Sequence, residues 1–227
     1  MKSPGNGSVT LAVPAIAATL LLAAYSLPAF LHAQAPPQPA TNSDPAALPA
    51  RDSHQGLLIA ADPYLTKERC EQKFGKKNPY TGGLLAIEVY LRNDTNGPLQ
   101  LQLDTMELQI ATPGQSRERP EPLTAGEAAY RIVLPKGAAP RGRRGPIPGV
   151  AGGKNKEVAK MEDSLRYLML PGDMVGPHNT VHGFVIFDLA GHFEDVEHST
   201  LYIPDVKRYG SGEKLFFFEI DLRPATH

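Results

Sequence analysis

Between Leu85 and Arg92 the chain alternates. Leu85, Ile87, Val89 and Leu91 fall on one side, and Ala86, Glu88, Tyr90 and Arg92 on the other. Two is the side-chain period of an extended strand, so the pattern predicts a strand with one buried face. Asn93 to Pro98, "NDTNGP", is a dense turn signal, after which Leu99, Leu101 and Leu103 resume the alternation with Gln100 and Gln102 outside. Together they predict a hairpin. Met106, Leu108 and Ile110 continue on one face, and "GLLIAA" from Gly56 predicts an earlier strand.

The period then changes. Thr124-Ala125-Gly126-Glu127 fits a capping box, in which the Thr and Glu side chains each accept from the other's free backbone amide, and predicts a short helix to about Val133. The six glycines, three prolines and three arginines between Gly137 and Gly153 disfavour regular structure and predict a loop. Val158, Met161, Leu165 and Leu168 recur at helical spacing, and Pro171-Gly172 ends that second helix. Strands return afterwards. Thr180 to Leu189 is apolar on both faces, as in a central strand, and Ser199 to Pro204 is a shorter one. Phe216, Phe218, Ile220 and Leu222 alternate with Leu215, Phe217, Glu219 and Asp221 in the last. About seven strands around a helical insertion predict a mainly β domain, an immunoglobulin-like antiparallel β-sandwich.

The N-terminus follows a different logic. Lys2, an apolar run from Leu11 to Leu31 and the small triplet Ala33-Gln34-Ala35 have the order of a secretory signal peptide cut after Ala35. Pro36 to Arg51 is rich in Pro, Ala and small polar residues, which predicts a disordered spacer. The expected organisation is a signal peptide at 1–35, a linker at 36–52 and one sandwich domain at 53–227, with its helical and basic-loop insertion at about 124–168. The mature protein is then exported, periplasmic or extracellular, with no membrane span. "GGLLAIEVYLRNDTNGPLQL", "GFVIFDL", "STLYIPDV" and "LFFFEIDL" together resemble uncharacterised bacterial exported proteins with an immunoglobulin-like β-sandwich. The resemblance implies a fold and a compartment, and no catalytic residues.

Charge adds one asymmetry. Without Lys2 the chain has 22 basic and 24 acidic side chains, a balance that argues against nucleic acid as partner. Ala111 to Lys160 nevertheless holds ten Lys or Arg against four acids, and Met161 to the C-terminus five against eleven. Cys70 is the only cysteine, which excludes an internal disulfide. Its neighbours in "KERCEQK" include cations that favour thiolate and glutamates that offset them, and the reading is an inert thiol.

Three stretches bear candidate chemistry. His192, Glu194, Asp195, Glu197 and His198 lie close together in sequence and offer imidazole and carboxylate ligands for Zn²⁺ or Ca²⁺. The competing reading is a solvated acidic connection centred near Phe193 between two strands paired as a hairpin. His178 and His182 do not join this group, because four residues of strand advance about 13 Å. Glu219 and Asp221 stand about 7 Å apart on one strand face, within the range used by glycosidases, but any solvated strand face produces such a pair. The basic loop fails as a phosphate-binding P-loop, with Pro148 where glycine is needed and Asn155 where Ser or Thr is needed. Arg141, Arg143, Arg144, Lys154 and Lys156 can instead meet an envelope protein or an anionic surface polymer. Asn93-Asp94-Thr95 also matches the glycan acceptor pattern on an expected turn. These features favour a non-enzymatic interaction module of the cell envelope that uses the basic loop and sheet edges and needs no cofactor. A metal-binding protein or metal-dependent enzyme centred on 192–198, and a purely structural envelope domain, are the alternatives.

Overall fold

The computed structural model describes residues 44–114, 116–134 and 153–225, a mainly β protein with three antiparallel sheets. Its ten strands, among the described residues, are β1 (Ala50–His54), β2 (Leu57–Tyr64), β3 (Leu84–Asn93), β4 (Leu99–Leu101), β5 (Glu107–Ile110), β6 (Met174–Val175), β7 (Asn179–Asp188), β8 (Ser199–Ile203), β9 (Val206–Arg208) and β10 (Phe218–Asp221). The helices are α1 (Lys67–Phe74), α2 (Ala125–Val133) and α3 (Gly153–Leu168). One sheet runs β1-β2-β3-β7, a second β10-β8-β5 and a third β6-β4-β9.

The alternation in β3 does mark two faces, but neither is solvated. Leu85, Ile87, Val89 and Leu91 join one core with Leu57, Ile59, Val185 and Phe187 of the same sheet and with Leu108, Leu201, Phe218 and Ile220 of the second. Leu99, Leu101, Val175 and Val206 bring the third sheet into that core. On the opposite face Leu84, Ala86, Phe184 and Ile186 pack under Cys70 of α1, Ala128, Ala129 and Ile132 of α2 and Leu165 of α3. Tyr90, with Leu58 and Ala60, is covered by Ala46 and Leu48. The helices therefore form a lid over the back of the four-stranded sheet.

The capping box at Thr124 and Glu127 is present as expected and starts α2. The unforeseen helix is α1, where Thr66 caps the N-terminus by accepting from the Arg69 amide and Gly75 closes the C-terminus. Order also begins before Ser53: Asp44 caps a 3₁₀ turn at Pro45–Ala47, and β1 starts at Ala50. The expected signal peptide and most of the spacer lie outside the described residues, as do Arg141, Arg143, Arg144 and most of the expected loop.

Neither expected hairpin forms. β3 pairs with β2 and β7, whereas β4 pairs with β6 and β9, so the turn after Asn93 carries the chain from one sheet to another. Likewise β7 pairs with β3 and β8 with β5 and β10, and the intervening 3₁₀ turn, Phe193–His198, links separate sheets. β7 is an edge of its sheet, not the centre. Leu170 N donates to Phe184 O (3.2 Å) and Leu123 N to Ile186 O (2.8 Å), which covers part of that edge. A Cβ at Gly183 would lie 2.5 Å from the Leu170 backbone, so only glycine permits this close approach. The last alternation also slips, since Leu215 is buried whereas Phe216 faces solvent.

Asn93 is fully buried at the crossover. Its Nδ2 lies 2.9 Å from Gly97 O, 3.1 Å from Val175 O and 3.0 Å from Gly176 O, while Oδ1 accepts from Thr95 N (2.9 Å) and Thr95 Oγ1 (2.7 Å). A side chain so enclosed leaves no room for a glycan, which corrects the acceptor-site reading. Asn93→Ala should cost about 3 kcal/mol, because it orphans several buried polar groups at once. Urea unfolding measures this, and a loss below about 1 kcal/mol would show that the crossover does not depend on Asn93.

Candidate functional site

The alternation of β3 places Glu88 on the face covered by helices, where it is only 1% exposed. Such a carboxylate needs partners, since burial without them is costly. Tyr64 Oη of β2 donates to Oε2 (2.9 Å). Lys73 Nζ of α1 donates to Oε1 at 3.3 Å, and His182 Nδ1 of β7 lies 3.2 Å from the same oxygen. Three elements thus converge on one carboxyl group.

Aromatic rings hold the converging groups. The His182 ring stacks on Tyr90 at 5.3 Å, Lys73 Nζ lies 5.3 Å from the centre of Phe184, and the Arg69 guanidinium sits 4.2 Å from the centre of Tyr64. Arg69 also grips Asp62 through bonds of 3.0 and 2.6 Å. Burial, followed by the charge and hydrogen bond of Glu88, raises the Tyr64 pKa above the ordinary phenol range. Cys70, buried in α1 beside this group, has its thiol pushed up chiefly by burial, and Sγ lies 3.7 Å from Tyr64 O. That environment suits an inert thiol. The whole arrangement fastens α1 to the sheet through a satisfied polar network.

The residues singled out from sequence lie elsewhere. His192 Nδ1 is 3.2 Å from Glu194 Oε1, and both are exposed. The Glu194 carboxyl is held below the ordinary range first by a backbone hydrogen bond and then by His192. Asp195 turns away and accepts from Thr112 Oγ1 (2.9 Å), while its carbonyl accepts from Ser199 Oγ (2.6 Å). His192, Glu194 and Asp195 line a cleft of about 330 Å³ together with Glu118 and Asp188, but Glu197 and His198 are not part of its lining. Asp188 is already paired with Arg131 of α2 at 2.7 Å. Among the described residues no three His, Cys, Asp or Glu side chains converge as a metal site. The 3₁₀ geometry explains the dispersal, for it turns Val196 into the core and leaves Glu197 and His198 facing solvent.

His178 Nε2 lies 2.9 Å from Asn96 Oδ1, remote in role from His182. Asp221 is held by Arg223, which lowers its pKa, and Glu219 is exposed. Lys154 falls in the first turn of α3, and Lys156 is exposed on the same helix. Some of the sheet edges are occupied: Leu108 N donates to Pro120 O (3.2 Å) beside β5, and Leu215 N to Val206 O (2.8 Å) beside β9. Among the described residues, no helix is long and apolar enough to cross a membrane.

No family model and no curated protein matches the chain. Among solved structures, it is similar to a functionally unknown protein from Listeria monocytogenes EGD-e at 11% identity, over 68% of this chain and 70% of that one, with a TM-score of 0.33. Similarity that low carries no argument about what this chain does.

Tyr64 supplies a pH test of the network. Because its folded pKa is raised, the unfolded chain releases the phenolic proton first, so stability falls as pH rises. The contribution is whole below the ordinary tyrosine value of about 10 and declines above it. Tyr64→Phe should therefore lose less stability than the parent between about pH 9 and about pH 11, as read by denaturant midpoints. Parallel losses in both proteins would show that Tyr64 keeps no special hold on its proton.

Proposed function

We propose that this chain is an exported immunoglobulin-like β-sandwich acting as a non-enzymatic interaction module in the cell envelope. Export is supported by the leader-like order of Lys2, the apolar run and Ala33-Gln34-Ala35. The sandwich is supported by the single core that the four-stranded sheet shares with the β10-β8-β5 sheet. It is also the fold of the exported bacterial proteins that the strand segments resemble.

The observation that carries the interaction reading is an aromatic pair at the surface. Phe216 is 71% exposed and Phe217 50% exposed, immediately before β10. Large adjacent apolar side chains in water mark contact surfaces more often than isolated ones do. Their backbone is held rather than free: Phe216 N donates to Gln55 Oε1 (2.8 Å), and His54 Nε2 lies 3.1 Å from Phe217 O. The Phe217 ring tilts against Tyr202 at 5.7 Å. A ledge prepared in this way loses little conformational freedom when a partner covers it.

Photo-crosslinking in the native envelope tests the reading. A benzoylphenylalanine at position 216 should give one defined protein adduct, absent when the probe is moved to the exposed turn residue Ser211. Phe217→Ser should suppress that adduct while leaving the thermal midpoint unchanged. Failure to obtain any adduct specific to position 216 would contradict the proposal.

A further inference from the structure

A second surface, on the helical side, has different chemistry. Phe74 at the end of α1, Val133 at the end of α2 and Met161 of α3 line a cleft of about 340 Å³ whose rim includes Lys77, Glu157, Lys160 and Ser164. That volume is within the range of small-molecule sites, about 300–1,000 Å³, and the division into apolar floor and polar rim is typical of them. The floor is firmly set on one side, because Phe74 meets Phe184 edge-on at 4.7 Å and Tyr64 at 6.3 Å. On the other side Met161 supplies an unbranched thioether that adapts to the shape of an apolar guest.

The rim determines the sign of the guest. Glu157 is its one acid and is engaged by Lys77 Nζ at 2.8 Å, which holds the Glu157 carboxyl below its ordinary range. Lys160 has no ion-pair partner among the described residues, so the rim carries one cation in excess. Ser164 Oγ donates to Lys160 O (2.9 Å), and its oxygen retains acceptor capacity. An ammonium guest would meet two lysines, and a polar guest would leave the floor of Phe74, Val133 and Met161 dry and uncovered.

We propose that the cleft between α1, α2 and α3 binds an amphipathic monocarboxylate, with its apolar tail on Phe74, Val133 and Met161 and its carboxylate at Lys160. This site is separate from the Phe216–Phe217 ledge, and its failure would leave the interaction reading standing. The geometry implies a simple order of affinity: alkyl carboxylate first, the alcohol of equal length weaker, and the alkyl amine weakest.

The test is a methyl-NMR titration of the full chain, labelled at its methionine methyl groups, with sodium octanoate, 1-octanol and octylamine. Octanoate should shift the Met161 signal saturably, with the amine at least about tenfold weaker. Lys160→Gln should weaken octanoate binding about fivefold without altering the affinity for 1-octanol. Arg166→Gln, on the same helix but outside the cleft, should leave octanoate binding unchanged. Absence of a saturable Met161 shift at millimolar octanoate, or equal binding of octanoate and octylamine, would overturn the assignment.

Discussion

Burial of the four-stranded sheet on both faces sets the terms for the rest of the molecule. One face sets Leu57, Ile59, Leu85, Ile87, Val185 and Phe187 against the other sheets, and its demand there is chiefly shape. The other carries Glu88 in the middle of β3, and the helices that exclude water from Ala86 and Phe184 exclude it from the carboxylate as well. Lys73, Tyr64 and His182 answer that demand from α1, β2 and β7. The position of α1 is thereby specified by charge and hydrogen-bond direction, where apolar packing alone would allow it to slide.

The crossovers follow from the same economy of burial. Asn93 gathers backbone carbonyls from its own turn and from the end of β6, so the chain leaves one sheet and enters another without orphaning polar groups. Around Phe193 the ring stacks on Tyr80 at 4.4 Å, and Val196 enters the core, which anchors the second crossover from inside. Among the described residues, two surfaces stand out beyond that packing: the exposed Phe216–Phe217 pair and a cleft on the helical lid. They differ in chemistry: one offers exposed aromatic rings, and the other a cationic rim above an apolar floor.

Sequence pattern revealed the strands well because a period of two survives whatever covers the sheet. Hence β2, β3, β5, β7 and β8 were all legible, as were the Thr124 capping box and the spacing of Val158, Met161 and Leu165. Pairing was not legible. "NDTNGP" has the composition of a hairpin turn, yet Asn93 uses its amide to bridge sheets, and nothing local distinguishes those outcomes. Glu88 escaped notice for a related reason, since a Glu between apolar residues reads as a solvated face unless α1 is known to lie over it. The available clue was Thr66 followed by "KERCEQKFG", a capped segment ending in glycine. The histidine and acid cluster shows the converse: proximity in sequence does not survive a 3₁₀ turn that sends successive side chains to different sides. Phe216 looked like a core residue because alternation was extended three residues beyond the strand that begins at Phe218.

The central structural claim is that Glu88 and Lys73 act as one unit in holding the helical lid to the sheet. A double-mutant cycle with Lys73→Met and Glu88→Gln, measured by equilibrium unfolding at neutral pH, tests it most directly. Lys73 is 24% exposed at the side chain, so solvent screening lowers the coupling expected from a fully buried pair. The expected interaction is about 1 kcal/mol or more, with the double variant less damaged than the sum of the singles. Strict additivity would mean that the two side chains are neighbours without being partners, and that apolar packing alone places α1.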